Sequence, residues 1–148
     1  MRRFYPVLTL AAMLAAFSAA AAAADSPCNL ITPQIATTIL GDAVKPGNAM
    51  GTACVFSHSE MKDVTVNIQV VGGMGVELFD SIISGNGNSS NEPVPGLGEK
   101  ASFQISHTES DLYVLVHGKI VTLGVRNSRN PNLKDSMIHA AKAMIGRL

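Results

Sequence analysis

Alternation of apolar and polar residues predicts five β-strands in this chain. In residues 63–71, valine and isoleucine occupy every second position, and threonine, asparagine and glutamine lie between them. This period of two indicates a strand with one buried face and one mostly polar face. Related patterns predict strands at 53–57, 101–107, 111–117 and 120–126. The strand at 111–117 is apolar on both faces, which favours a central position in the sheet.

Apolar residues at helical spacing predict three helices. The first follows Thr32, which can cap its start, and it ends at Gly41. The second carries its apolar stripe over residues 76–83 and ends at Gly85. The third begins with the Asn-Pro pair at 130–131, because proline suits the first turn of a helix.

The middle of the chain holds a turn rich in proline and glycine that can be neither helix nor central strand, and this turn leads directly into the predicted strand at 101–107. Residues 92–103, here called the turn segment, contain Pro93, Pro95, Gly96 and Gly98 within six residues. Proline breaks helices and cannot donate to a sheet ladder, and glycine favours turns. The segment therefore separates two groups of elements, αββα before it and βββα after it.

Short connections between the predicted strands indicate antiparallel pairing, because a parallel pair needs a long crossover. The predicted fold is α+β, a two-layer sandwich with an antiparallel sheet of about five strands and the helices on one face. Residues 25–148 amount to 124 residues, which is enough for one domain with a proper core.

Residues 1–24 have the parts of a secretory signal peptide. Arg2 and Arg3 supply the positive charge, an apolar run follows, and three alanines precede Asp25 in the form that signal peptidase cleaves. A membrane anchor is the alternative, since the run is nearly long enough to span a bilayer. Alanine is only weakly hydrophobic, and the Asp-Ser-Pro that follows also favours cleavage.

The residues around the predicted cleavage site also decide against a lipoprotein. Lipidation requires a cysteine directly after the cleaved bond, and Asp-Ser-Pro before Cys28 does not fit that requirement. We therefore expect a bacterial protein that is periplasmic or secreted and has no membrane span after cleavage.

The charge balance excludes two classes of function. Once Arg2 and Arg3 leave with the leader, nine lysines and arginines remain against eleven aspartates and glutamates, a net charge of −2. Nucleic acid demands a basic patch, and a membrane surface demands a cationic amphipathic stretch. The sequence has neither, so we expect no nucleic-acid partner.

Cys28 and Cys54 are the two cysteines of the chain. In an exported protein an isolated pair is most often a disulfide. Two free thiols are the alternative. A metal site formed by the two cysteines and a histidine has even less support, because their spacing does not match that of known zinc-binding motifs. We expect a disulfide between them, and neither a metal nor another cofactor.

Several short motifs together resemble a known group of proteins. They are Cys-Asn-Leu-Ile-Thr-Pro at 28–33, Ile-Leu-Gly at 39–41, Cys54 with Phe56, and Pro-Val-Pro-Gly-Leu-Gly-Glu-Lys-Ala at 93–101. With the closing amphipathic helix, these resemble small exported bacterial domains of unknown function, some lipoproteins and some sensor-like. The resemblance implies a non-enzymatic domain that binds a ligand or a partner. It brings no catalytic residues, and the missing lipidation cysteine departs from the lipoprotein members.

The sequence contains none of the common catalytic motifs. Gly-x-Ser-x-Gly, His-Glu-x-x-His and Cys-x-x-Cys are all missing. The glycine cluster at 72–75 precedes a predicted helix, where anions can bind, but a plain strand-to-helix turn is the simpler interpretation. His107 and His117 lie near the ends of adjacent predicted strands, where they could share a site. No carboxylate lies at a spacing that suggests it pairs with them, so two unrelated histidines are the simpler interpretation.

If the helices cover one face of the sheet, the other face is the candidate for binding. Tyrosine and arginine are common anchors at interfaces, and exposed aliphatic groups on a sheet often meet a partner. The alternative is that the turn segment or residues near Met50 cover the apolar part of this face. The predicted binding residues are Asn67, Gln69, Tyr113, His117 and Arg126.

Three functions are compatible with the sequence. We expect first a small exported binding or interaction module without catalytic chemistry, with an unknown small ligand or envelope protein as partner. The second is an inhibitor or assembly protein of the cell envelope that acts through the open sheet face. The third is an enzyme with an unrecognised site. In that case His107, His117 and Glu99 would have to lie together as a set with shifted pKa values.

Overall fold

An antiparallel sheet with three helices forms the part of the chain that the computed structural model describes, residues 26–85, 87 and 90–148. The predicted α+β class and antiparallel pairing are therefore confirmed. The predicted leader, residues 1–24, lies outside the described residues.

The elements follow the order αβββα–ββββα. The helices are α1 (Pro33–Leu40), α2 (Gly75–Gly85) and α3 (Leu133–Ile145). The strands are β1 (Asn48–Met50), β2 (Ala53–Ser59), β3 (Lys62–Val70), β4 (Ser90–Pro93), β5 (Lys100–Ile105), β6 (Glu109–Val116) and β7 (Lys119–Arg126). Short 3-10 turns precede the first two helices, at Pro27–Asn29 and Gly72–Met74.

The strands lie in the order β1-β2-β3-β7-β6-β5-β4, and all neighbours are antiparallel. β3 pairs with β7 over eight residues, from Asp63 opposite Arg126 to Val70 opposite Lys119. This pairing joins the first three strands to the last four. The two edges of the sheet are therefore β1 and β4.

The sheet has seven strands where the sequence analysis predicted about five, and the two missed strands are these edges. Every residue of β1 and β4 is exposed. Since neither strand buries an apolar face, neither shows the alternation on which the strand prediction depended. The predicted order αββα–βββα was therefore wrong by one strand in each half.

The larger hydrophobic core lies between one face of the sheet and helices α1 and α3. Leu112 and Val114 of β6 point into it, as do alternate residues of the neighbouring strands. Ile39 of α1 and Met137 of α3 are almost completely buried against them. Burial of each such side chain is worth about 1.5–3 kcal/mol, which makes this layer the main source of stability.

Helix α2 packs on the opposite face, so the prediction that all helices share one face was wrong. Leu115 and Ile120 alternate with Val114 and Val121, which point into the larger core, and therefore lie on the other side of the sheet. Phe79 of α2 covers them and is itself buried. A helix has one apolar stripe whichever face it covers, so its pattern could not show the side.

The ends of α1 are as predicted, and the start of α3 is not. The hydroxyl of Thr32 accepts a hydrogen bond from the N–H of Ile35 at 3.3 Å, and Gly41 ends α1 with a φ of 79°. Helix α3 begins at Leu133, beyond the predicted Asn-Pro pair. Asn130 instead uses its side chain to bond the last turn of α1, which ties the two helices together.

A disulfide joins Cys28 to Cys54, as predicted, with an S–S distance of 2.01 Å. The bond ties the segment before α1 to β2 within the larger core. Closing a loop of this size is worth about 3–4 kcal/mol in the chain-entropy model. The disulfide is consistent with an oxidising compartment.

Among the described residues, no helix has both the length and the apolar character needed to cross a membrane.

The turn segment crosses the end of β6 at close range. Gly98 has a φ of 61°, and a Cβ at this position would lie 2.6 Å from the carbonyl oxygen of Leu115. The N–H of Glu99 donates to that same oxygen at 2.8 Å. Gly96 also has a positive φ, of 76°, but nothing lies within 4 Å of a Cβ built there.

Replacing Gly98 with alanine is expected to lower the free energy of unfolding by about 3 kcal/mol, because strain at positive φ adds to a clash with the main chain. The matched variant Gly96→Ala has the strain without the clash, and we expect a loss of about 1 kcal/mol. Urea unfolding followed by circular dichroism measures both values. Equal losses in the two variants would contradict the close contact with Leu115.

Candidate functional site

Three of the five predicted binding residues are neighbours on the sheet face that α2 partly covers. Asn67 and Tyr113 lie in one row across the sheet, each opposite Thr122 of β7. Gln69 belongs to the next row along β3 and is exposed. The side chain of Asn67 donates to the hydroxyl of Thr52 at 3.4 Å, and Tyr113 packs half-buried beside α2.

The other two predicted residues, Arg126 and His117, lie apart from this row. Arg126 is four positions from Thr122 along β7, which is about 13 Å at the rise of a strand. Its Nε donates to Asp63 at 3.1 Å, and a second guanidinium nitrogen bonds the other carboxylate oxygen. His117 occupies the turn after β6, where its N–H donates to Oε1 of Glu99 at 2.8 Å. The five residues therefore do not form one site.

Helix α2 is the element that covers the apolar part of this face. Leu115 is 1% exposed beneath the helix, whereas Met50, considered above as a cover, is 61% exposed. Asn67 and Thr122 stay partly accessible on the side of the face that α2 does not reach. The open surface is therefore smaller and more polar than a sheet with helices on one side would offer.

A groove with a volume of about 440 Å³ opens between α2 and the turn segment. Phe79 and Ile83 form its wall on the helix. Pro93, Leu97 and Ala101 contribute to the opposite wall. A volume of this size lies within the range of ligand sites, roughly 300–1,000 Å³, and such sites have mainly apolar walls.

One ion pair links the two walls of the groove. The ammonium group of Lys100 lies 2.5 and 2.8 Å from the carboxylate oxygens of Asp80 and 6.0 Å from the centre of the Phe79 ring. Both charged side chains are about half exposed. Pairs of this kind contribute at most about 1 kcal/mol, so an entering ligand can displace the pair at small cost.

Two side-chain amides of the sheet fix the end of α2 beside the groove. The side-chain amide of Asn91 donates to the carbonyl of Ile83 at 3.0 Å, and that of Gln104 donates to the same carbonyl at 3.4 Å. Gln104 is buried. Because both donors belong to strands, the sheet holds the end of α2 in place beside the groove.

The groove residues Phe79, Ile83 and Lys100 were not among the predicted site residues. Sequence patterns placed the first two in the buried stripe of a helix and the third beside a turn. One signal of the groove was present in the sequence. The turn segment contains the apolar residues Val94 and Leu97, whereas an ordinary surface turn is polar, and both residues are buried in the structure.

A second cleft, of about 230 Å³, lies around Asp111 on the same face of the sheet. The carboxylate lies against Gly124, where a Cβ would come within 2.8 Å of Oδ1. Burial, with a smaller contribution from the charge of Glu109, raises the pKa of Asp111 to about 6. Here and elsewhere in residues 26–85, 87 and 90–148, no three histidine, cysteine, aspartate or glutamate side chains are arranged to hold a metal ion.

Comparison of the chain with protein-family models, with curated proteins and with solved structures found no match. The resemblance to small exported bacterial domains therefore stays a prediction from the motifs of this sequence. The function has to be inferred from the groove and the cleft.

Protonation of Asp111 is expected to stabilise the fold, because the folded protein holds this proton more tightly than the unfolded chain does. That stability is fully present below the ordinary pKa of 3.8 and is lost as the pH rises through about 6. Asp111→Asn should raise the free energy of unfolding at pH 7 by about 1–2 kcal/mol, a value reduced for partial exposure. Near pH 3 the variant and the wild type should be equally stable.

Urea unfolding between pH 3 and pH 8 measures this difference. Glu77→Gln, which removes an exposed carboxylate on α2, is the matched control, and its effect should stay below about 0.5 kcal/mol. An Asp111→Asn variant whose difference from the wild type does not change with pH would rule out a raised pKa at this site.

Proposed function

We propose that this chain is a small exported binding module that holds an apolar ligand in the groove between α2 and the turn segment, without catalytic chemistry of its own. The observation that carries the proposal is the groove itself, with a volume of about 440 Å³ and apolar walls. Sites of this kind bury most of a ligand and use a few polar groups to orient it.

The acids at the groove support binding over catalysis. Acid–base catalysis usually joins an acid to a second titratable or nucleophilic group at the same site. Asp80 is paired with Lys100, and Glu99 accepts a hydrogen bond from the main chain of His117. Both acids are thus engaged in contacts within the fold, and no histidine or cysteine is found among the described residues that line the groove.

Export is the second part of the proposal. Its support is the leader pattern over residues 1–24 together with the Cys28–Cys54 disulfide, a bond that persists outside the reducing cytoplasm. The mature protein, residues 25–148, then works in the periplasm or outside the cell.

Filling the groove with a large side chain should abolish binding. Ile83→Trp places an indole between the two walls without adding charge. We expect it to weaken the binding of Nile red, an uncharged apolar fluorescent probe, by at least about tenfold. Val76→Trp, at an exposed position on the same helix, is the matched control and should bind like the wild type. Fluorescence titration measures both.

Equal loss of probe binding in the two tryptophan variants would show that the groove is not the site. No saturable binding by the wild type would have the same meaning.

Native mass spectrometry of the full-length chain, expressed for export in bacteria, tests the second part. We expect a mass that begins at Asp25 and is two hydrogens below that of the reduced chain. Any additional non-covalent mass gives the size of the natural ligand. The double variant Cys28→Ala, Cys54→Ala should show no change in mass on reduction. A chain that keeps residues 1–24 would contradict export.

A further inference from the structure

The outer edge of β4 runs beside the groove and pairs with no other described strand. Asn91 and Pro93 belong both to this strand and to the lining of the groove. Strand β1, at the opposite edge of the sheet, contributes nothing to that lining. The molecule thus places an open strand edge and an apolar groove next to one another at one place.

Hydrogen bonding shows which main-chain groups face this open edge. The N–H of Val94 donates to the carbonyl of Ala101 at 3.0 Å, in continuation of the β4–β5 pairing. Bonded positions alternate in an antiparallel pair, so Glu92 also bonds β5, and Asn91 and Pro93 face outward. Proline has no N–H. The edge therefore offers the N–H and the carbonyl of Asn91 and the carbonyl of Pro93.

The side chains of β4 show where an added strand would direct its own. Asn91 and Pro93 point to the α2 side of the sheet, and the amide of Asn91 bonds the carbonyl of Ile83. Glu92 points to the other side and pairs with Lys134 of α3. Alternate side chains of a strand added here would lie on the α2 side, next to the groove.

The charges at the groove favour an uncharged ligand segment. Asp80 and Lys100 neutralise each other across the groove. A ligand with a single charge would only exchange one exposed ion pair for another, so its charge gains little net attraction. Apolar contact and main-chain hydrogen bonds remain as the means of recognition, and an apolar stretch of polypeptide offers both.

We propose that the ligand is an extended polypeptide segment of another exported protein, which pairs with β4 as an additional strand and places an apolar side chain in the groove. This inference rests on the proposed function and names the class of ligand. In strand addition, main-chain bonds supply affinity and pockets for alternate side chains supply specificity.

The composition of β4 limits this pairing to one short segment. The strand has four residues, and Pro93 removes one donor from its edge. Short edge strands with proline resist the open-ended association of sheets. The site therefore fits a partner segment of about four to six residues.

Two variants at one position separate the main chain from the side chain. Asn91→Pro removes the outward N–H without breaking a bond to β5, a position where proline is tolerated in an edge strand. Asn91→Ala keeps the N–H. Both variants lose the side-chain bond to Ile83. A difference in peptide binding between them therefore comes from the loss of the main-chain N–H and from the proline ring that takes its place.

The probe is a pool of amidated heptapeptides with valine, isoleucine, leucine or phenylalanine at every second position and threonine or lysine between them. It should displace Nile red from the wild type and from Asn91→Ala. At least about a tenfold higher concentration should be needed for Asn91→Pro. The same pool with N-methylated apolar residues should not displace the dye. Peptide affinities are calculated with the dye affinity that each variant shows alone, because both variants lose the bond from Asn91 to Ile83.

Equal displacement from the two variants, or no displacement from the wild type at millimolar peptide, overturns strand addition. Dye binding that Ile83→Trp blocks would then still support the groove as a site. If Asn91→Pro does not fold, hydrogen exchange of the wild type decides: the pool must slow exchange at the N–H of Asn91, and unchanged exchange overturns the inference.

Discussion

The pairing of β3 with β7 holds the two halves of the chain in one sheet. At one end of this pairing the buried carboxylate of Asp63 bonds Arg126. A buried carboxylate without a cation costs several kcal/mol, and a shift by one residue would also turn the valines of β3 toward the wrong face. The ion pair and the hydrophobic pattern therefore specify the same register. Arg126, which the sequence suggested as a binding residue, serves this intramolecular purpose.

Most of the fold could be predicted because each central strand and each helix buries part of its own pattern. The strands that were missed, β1 and β4, bury nothing, so their positions follow from their neighbours alone. The sequence did contain some information about the face of the sheet on which α2 packs. Leu115 made one strand apolar on both faces, and a strand of that kind has to be covered twice, here by Phe79 on the second side.

The candidate site could be predicted less well, because it depends on distances between elements. A helix stripe and a proline-rich turn were both visible in the sequence, but the groove exists only where Phe79 and Pro93 face each other. The same holds for the cleft at Asp111, whose burial depends on the missing side chain of Gly124 on the next strand. Asn67 and Tyr113 do share a row of the sheet, and that row continues through Ser102 to Pro93 in the groove lining, although Asn67 and Tyr113 themselves do not line the groove.

The disulfide fixes the start of the described chain at a distance from the groove. Cys54 lies on β2, and β4, which borders the groove, is five strands further across the sheet. At about 4.8 Å between strands, the two are about 24 Å apart. Ser26, where the described residues begin, is two positions from Cys28 and therefore lies toward the opposite edge of the sheet from the groove. A fluorescent label attached at Ser26 would therefore leave the groove free.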